Sequence, residues 1–214
     1  MSGETLLDIK GLKVSYKVYE GRLRVINDLH FRVNREERVG LVGETGCGKT
    51  TTMKAILRIL PHRVSSVDGG EILFKGENVL AMRRAELQDL RSKGIAMIFQ
   101  DPTAALNPVF SVGQQVEDVV RFALPPAERK SNAIRDIAMR ALKEVYLPDQ
   151  ARILQSYPLQ LSGGMRQRVC ISMAITTPRE LLIADEPGTS LDVTIQDQIL
   201  RLLRELVEKR GTSI

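Results

Sequence analysis

The segment RVGLVGETGCGKTT, residues 38–51, is the strongest guide to the architecture of this chain. It begins with a short apolar run, typical of a buried strand, which enters a glycine-rich turn. After the turn, apolar residues recur at the helical spacing i, i+3, i+4 and i+7 before Pro61, namely Met53, Ile56, Leu57 and Leu60. The sequence therefore predicts a strand over 38–43, then a loop, then a helix.

The turn matches the pattern GxxxxGK[ST] through Gly43, Gly48, Lys49 and Thr50. Glycines let backbone N–H groups surround a phosphate at the positive end of the following helix. Lys49 can reach the β- and γ-phosphates of a nucleotide, and the Thr50 hydroxyl suits Mg²⁺. We therefore expect residues 43–51, the P-loop, to bind a nucleoside triphosphate, with these further members: Glu44, Thr45, Gly46, Cys47 and Thr51.

The cysteine of the P-loop, Cys47, is interpreted as a small spacer, because no base accompanies it in the motif. The other cysteine, Cys170, lies far away in sequence, which predicts neither a disulfide framework nor a CxxC metal pair. A reducing compartment fits this usage.

An acidic element, LLIADEP at 181–187, follows a second apolar run. The run predicts a buried strand that delivers Asp185 to its carboxyl end, where open α/β sheets hold ligands and a carboxylate can hold Mg²⁺. Glu186 follows and is expected to polarise an attacking water, which predicts hydrolysis rather than transfer to a bound alcohol. The alternative is a strand end with solvated charges, and the P-loop favours the catalytic interpretation.

Composition bounds the class of protein. The chain has 214 residues, 43% hydrophobic and 27% charged, as expected for a globular protein. It lacks an apolar run of membrane-spanning length and begins without a signal-peptide pattern, which predicts a cytoplasmic location. The formal charge of +5 comes from dispersed basic residues, so a solvated mixed surface is favoured over a nucleic-acid patch.

The pattern along the chain predicts an α/β fold with a mostly parallel sheet. Two N-terminal β segments around YEGR (19–22) indicate antiparallel strands, and GEILFKG (70–76) and IAMIFQ (95–100) indicate further strands. From Val112 the periodicity becomes helical up to Pro125, and a second helix follows, with Ser131 as its candidate cap. We expect a single domain over 1–214, composed of a β subdomain with the P-loop core (1–100), a helical insertion (101–160) and a final αβ part (161–214).

A second glycine-rich element, LSGGMRQRV at 161–169, is called the signature segment below. The predicted insertion separates it from the P-loop, so Ser162, Gly163 and Gly164 are expected to lie too far away to touch the same nucleotide. We infer that they serve a nucleotide bound to another chain.

These motifs, in the order GETGCGKTT, IFQDP, LSGGMRQR, LLIADEP and SLD, make the chain similar to the nucleotide-binding subunits of ABC transporters, and in particular to the oligopeptide, dipeptide and nickel importer branch. The resemblance implies that Tyr16 stacks on adenine, that Gln100 senses Mg²⁺ and the γ-phosphate, and that Asp192 is the D-loop aspartate. It implies catalysis by Glu186, Gln100 and Lys49.

The resemblance also implies partners. Two such subunits, identical or different, would pair head to tail, so that the signature segment of one closes over ATP and Mg²⁺ bound to the other. Permease subunits would hold the pair at the cytoplasmic face of the cell membrane, with a solute-binding protein as an indirect partner. ATP-driven pairing would power import of peptides or related small solutes.

Each family-based assignment has an alternative. Tyr16 can be a plain strand aromatic, Gln100 can cap the loop before Pro102, and Asp192 can be the N-cap of the last helix. A rival function is a soluble ABC ATPase that acts on nucleic acid or ribosomes, although those proteins usually carry two cassettes. A small-molecule kinase has no use for the signature segment.

The sequence departs from the family pattern at its end, GTSI (211–214), where the family continues to a switch histidine. Neither His30 nor His62 matches that position. We therefore expect this chain to be a truncated subunit, impaired in hydrolysis.

Overall fold

The computed structural model describes residues 3–188 and 191–214, except the side chains of residues 206 and 207. Ser190 of the SLD motif thus lies outside the described residues. The chain divides into two compact units. The first comprises the residues up to Arg91 together with Ser213 and Ile214, and the second comprises Ser92–Thr212.

The first unit contains the antiparallel sheet that the N-terminal pattern predicted. Its strands are β1 (Thr5–Val18), β2 (Gly21–Asn34), β3 (Ser65–Phe74) and β4 (Glu77–Asn78), in the order β2-β1-β3-β4. The central strand β1 pairs with β2 on one side and with β3 on the other, both antiparallel. Its apolar side chains form the core of this unit, and five of them are almost inaccessible: Leu6, Leu7, Ile9, Leu12 and Val14.

Helix α1 (Lys49–Ile56) follows the P-loop but ends earlier than the periodicity predicts. Arg58 has a φ of 50°, in the left-handed region, which interrupts the helix before Leu60. The Arg91 guanidinium then holds the helix end, with hydrogen bonds of 2.9 and 2.7 Å to the Leu57 carbonyl and 2.8 Å to the Arg58 carbonyl. A basic side chain on the last carbonyls is favourable at a helix C-terminus.

The predicted buried strand over 38–43 is wrong. This segment belongs to neither sheet among the described residues, and Val42 is 94% exposed. The described backbone pairing here joins Val39 N–H to the Ile214 carbonyl at 2.9 Å and Ile214 N–H to the Glu37 carbonyl at 3.0 Å. A ladder this short does not extend into the glycine-rich residues, and without cross-strand partners an apolar run does not become a strand.

Helix α2 (Arg84–Asp89) completes the first unit. Its first turn is held by Arg83 N–H, which donates to the Glu86 carboxylate at 2.8 Å. That contact satisfies one of the backbone donors left open at a helix start.

The second unit contains two parallel strands, β5 (Ile95–Ile98) and β6 (Leu181–Ala184). Their register pairs Ile95 with Leu181 and Ile98 with Ala184. The α/β class, with an N-terminal antiparallel sheet and a parallel sheet, is therefore confirmed. The helices of this unit are α3 (Pro102–Ala105), α4 (Val112–Ala123), α5 (Ser131–Glu144), α6 (Gln150–Gln155), α7 (Gly163–Ile175) and α8 (Val193–Arg210).

The predicted helix from Val112 is confirmed as α4. Its start is fixed by a capping box, in which Ser111 Oγ accepts from Gln114 N–H at 3.2 Å and Ser111 N–H donates to Gln114 Oε1 at 2.9 Å. Gly113 faces α6 so closely that a Cβ there would lie 2.6 Å from the Leu154 carbonyl oxygen. Val112 N–H also donates to the Ser156 carbonyl at 2.8 Å.

The predicted cap of α5 is wrong by one residue. Lys130 occupies the N-cap position and gives no side-chain cap, while Ser131 is the first helical residue. The predicted apolar face is real, because Ile134, Ala138, Ala141 and Leu142 are buried. The inward face therefore sets the helix, and the missing cap is tolerated.

None of the helices within the described ranges combines the length and the apolar character needed to cross a bilayer.

Candidate functional site

The P-loop leads into the N-terminus of α1. Gly48 is the N-cap residue with a φ of 102°, a conformation that glycine adopts readily and other residues do not. The loop turns back through a hydrogen bond from Cys47 N–H to the Glu44 carbonyl at 3.2 Å. The first turn of α1 reads KTTT and contains no acidic residue. Its positive end is therefore left to attract an anion.

The Lys49 ammonium is folded over the loop. Its Nζ donates to the Gly43 carbonyl at 2.7 Å and to the Glu44 carbonyl at 3.0 Å. A flexible ammonium held by carbonyls can exchange them for phosphate oxygens, which bind a cation more strongly. Glu44, Thr45, Gly46 and Cys47 are exposed, while Thr50 and Thr51 are half-buried on the first turn of α1.

Tyr16 lies within the same unit as the P-loop. It is half-buried on β1 and pairs with Leu23 on β2 and Ser65 on β3. The P-loop approaches β2 two residues further on, since a Cβ on Gly48 would lie 3.3 Å from the Val25 carbonyl oxygen. Val25 is the extra residue of a β-bulge, because Val14 pairs with Ile26 and Ser15 with Arg24. The bulged strand that flanks Tyr16 thus also contacts the phosphate loop.

The acidic residues lie in the second unit, directly after β6. Asp185 is only 3% exposed, and its N–H continues the parallel ladder by donating to the Ile98 carbonyl at 3.0 Å. Glu186 is exposed and has a φ of 47°. Gln100 Nε2 donates to Glu186 Oε2 at 2.9 Å. The structure therefore brings two predicted catalytic residues, Gln100 and Glu186, into contact although 86 positions separate them in sequence.

The signature segment begins helix α7. Ser162 is its N-cap, with the hydroxyl oxygen accepting from Met165 N–H at 3.3 Å. Ser162 and Gly163 are exposed, whereas Gly164 is half-buried and faces Leu191, whose Cδ2 would lie 3.5 Å from a Cβ at that glycine. The exposed hydroxyl and backbone thus sit at the positive end of a helix, where an anion is stabilised.

Asp192 precedes α8 and is exposed. Its carbonyl accepts from Gln196 N–H at 2.8 Å, which is the first backbone bond of that helix. This is the backbone position of an N-cap, as the alternative interpretation of Asp192 expects. The two histidines are surface residues: His30 faces Asp28 at 3.6 Å and is 65% exposed, and His62 is exposed.

Sequence reasoning missed Gln167. This glutamine of the signature segment is fully buried in α7, and its Nε2 donates to the Pro187 carbonyl at 2.9 Å. Pro187 is the residue after Glu186. Gln167 lies between Arg166 and Arg168 in the sequence, so nothing local indicated that it would be buried, and its partner could not be identified before the fold was known.

The fold and the motifs together define the class of protein. The chain belongs to the ABC transporter family, whose model matches residues 26–189. A probable peptide ABC transporter ATP-binding protein of Sinorhizobium fredii is 42% identical over 211 residues, covering 99% of this chain and 62% of that protein. A probable D,D-dipeptide transport ATP-binding protein of Escherichia coli is also 42% identical, covering 99% of this chain and 63% of that protein. The chain thus spans a little over three fifths of these relatives.

A solved structure supports the assignment to this family. A dimeric ATP-binding cassette in a post-hydrolysis state, bound to ADP and Pi, has a TM-score of 0.86 and 26% identity. The match covers 97% of this chain and 85% of that one.

Proposed function

We propose that this chain is the ATP-binding and ATP-hydrolysing part of a subunit that powers import of peptides or related small solutes through a membrane permease. The observation that carries the proposal is the P-loop at the start of α1, with Lys49 held over it. The peptide and dipeptide transport proteins among its relatives support the choice of cargo class.

The P-loop residues fit a triphosphate. Backbone N–H groups of residues 43–51 and the Lys49 ammonium supply donors and positive charge, and the Gly48 conformation shapes the loop. Tyr16 provides an aromatic ring on the strand next to the one that contacts Gly48. Stacking of a base on an aromatic side chain contributes about 1–3 kcal/mol, which makes Tyr16 the candidate for adenine.

Mg²⁺ would be held by oxygen donors of Thr50, Gln100 and Asp185, together with phosphate oxygens, as is usual for this ion. The described residues contain no group of three or more His, Cys, Asp or Glu side chains arranged to hold a metal by themselves. The metal supplies neutralisation of charge on the phosphates when bound.

Glu186 is proposed to accept a proton from the attacking water at its carboxylate. Its contact with Gln100 orients that carboxylate, because the amide donor fixes one of the two oxygens at 2.9 Å. The second oxygen can then receive the proton. Lys49 would stabilise the negative charge that develops on the transferred phosphoryl group.

A head-to-tail pair of such subunits would complete each site. We propose that Ser162, Gly163 and Gly164, with Asp192 at the same interface, close over a γ-phosphate bound to the partner subunit. The exposed N-terminus of α7 supports this role. The related cassette that was solved as a dimer also supports pairing.

The proposal includes the organisation of the chain. Residues 1–214 would act as one ABC ATPase domain, with 101–160 as a helical insertion that receives cytoplasmic helices of the permease. The subunit would then lie at the cytoplasmic face of the cell membrane. The comparisons give no support to the rival role on nucleic acid or ribosomes.

The test uses the full-length protein, assembled with its candidate permease subunits and placed in lipid nanodiscs. ATP hydrolysis should be measurable, should require Mg²⁺, and should rise when a peptide-loaded solute-binding protein is added. Co-purification with RNA in place of a permease, or hydrolysis that ignores the permease, would refute the transport role.

A further inference from the structure

Gln167 stands out because it is a polar residue in the interior of α7. It is 0% exposed, and its neighbours Val169, Cys170 and Ile171 are buried as well. Its Nε2 donates to the Pro187 carbonyl at 2.9 Å. Its Oε1 is buried and has no hydrogen-bond partner among the described residues.

Stability alone does not explain a glutamine at this position. A buried amide oxygen without a donor loses its hydration and gains nothing in return. An unbranched apolar side chain such as methionine has similar length and would remove that penalty. What only the glutamine provides is the bond to Pro187.

The bond acts on the turn that carries Glu186. Glu186 has a φ of 47°, a conformation that costs energy for a residue with a Cβ and persists only where the surroundings hold it. Beyond Pro187, the turn packs Gly188 against Gln196, where a Cβ would lie 2.6 Å from Cγ. Gln167 therefore holds the carbonyl next to the strained residue, while Gln100 holds the Glu186 carboxylate.

We propose that Gln167 is a positioning residue, which ties helix α7 to the turn carrying Glu186 so that a shift of this helix changes the orientation of the carboxylate. The inference rests on the proposed function, because it assumes that Glu186 takes part in ATP hydrolysis. Ser162 lies at the N-terminus of the same helix. When the nucleotide of a partner subunit closes on Ser162, the resulting shift of α7 would thus reach the Glu186 carboxylate of the chain that contains Ser162.

The experiment compares Gln167→Met with the wild type in the full-length, assembled transporter. We expect kcat for ATP hydrolysis to fall about tenfold, because a displaced carboxylate loses its alignment with the water. The KM for ATP should stay within about twofold, since the P-loop is untouched. The melting temperature should be unchanged or higher, because the unpaired Oε1 is gone.

A matched control is Gln198→Met. Gln198 is exposed on α8, and its Oε1 accepts from Arg168 Nη2 at 3.0 Å, so the same chemical change is made away from the Glu186 turn. Its kcat should equal that of the wild type. Gln167→Asn, which keeps an amide but is one methylene too short to reach Pro187, should reproduce the kcat loss.

An unchanged kcat in Gln167→Met overturns the inference, and so does a loss of kcat that is matched by a lower melting temperature. Failure of both Gln167 variants to fold makes the residue structural and overturns it as well. Absence of hydrolysis by the wild-type transporter, with normal ATP binding, instead overturns the proposed function on which the inference rests.

Discussion

The replacement Glu186→Gln separates the charge of this side chain from its shape. Gln100 Nε2 donates to Glu186 Oε2 at 2.9 Å, and an amide oxygen in the same place can still accept that bond. A hydrogen bond to a charged group contributes about 1.5–3 kcal/mol and a neutral one about 0.5–1.5 kcal/mol. Because Glu186 is exposed, solvent screening keeps the stability cost of the change below about 1 kcal/mol.

The expected effect on catalysis is much larger. A positioned general base contributes about 10²- to 10⁴-fold in rate, which corresponds to about 3–5 kcal/mol of the barrier. We therefore expect hydrolysis by Glu186→Gln to fall by about two to four orders of magnitude. The melting temperature should move by less than about 4 °C, and ATP binding should persist. ATP should accumulate on a closed dimer that no longer reopens.

The assay measures phosphate release by the full-length transporter and, in parallel, retention of labelled ATP after gel filtration. The control Glu208→Gln makes the same charge change on α8, where Glu208 accepts from Arg204 at 2.9 Å on an exposed surface. Its turnover should match that of the wild type. Turnover of Glu186→Gln within about twofold of the wild type would refute the assignment of Glu186 as the base.

Three further predictions concern single residues. Lys49→Ala should weaken ATP binding by about 10- to 100-fold, from the loss of a charged donor, as measured by isothermal titration; unchanged affinity would remove Lys49 from the site. Arg91→Ala should destabilise the chain by about 2 kcal/mol in denaturant titration, because it uncaps the Leu57 end of α1, and Arg91→Lys should restore part of the loss. Burial, aided by the negative charge of a nearby aspartate, raises the pKa of Cys170 to about 12, so its thiol should stay protonated and unreactive at pH 8; a thiol reagent should label only exposed Cys47 in the native protein, and labelling of both would contradict the burial.

The sequence predicted helices and strands correctly where the local pattern and the tertiary packing favour the same structure. Helix α4 follows from an apolar repeat between a capping box and two prolines, all within a short stretch. Strand β6 follows from a continuous apolar run. In these elements the side chains that stabilise the structure are neighbours in sequence, so periodicity alone identifies them.

Non-local contacts decided the elements that were predicted wrongly. The run at 38–43 has the composition of a strand, but a strand exists only through its neighbours in the sheet. The end of α1 is held by Arg91, which lies more than 30 residues beyond the carbonyls it binds. Neither the sheet neighbours that a strand needs nor the role of Arg91 can be recognised from the local sequence pattern.

The same limit applies to the candidate site. The P-loop is a local motif, so its residues could be predicted from spacing. The pairing of Gln100 with Glu186 depends on the parallel register of β5 and β6, which brings the ends of two distant strands together. The bond from Gln167 to Pro187 depends on how α7 packs on the turn after β6. Neither contact can be predicted from the spacing of residues in the sequence.

The close approach at Gly113 reverses the usual advice on engineering a helix. Exchange of glycine for alanine inside a helix ordinarily stabilises it by restricting the unfolded chain. Here the methyl group would be driven into the Leu154 carbonyl oxygen, 2.6 Å away, and would act as a wedge between two helix backbones. A propensity scale would thus recommend a change that this packing does not accommodate, and natural divergence should spare position 113 while the surface around it varies.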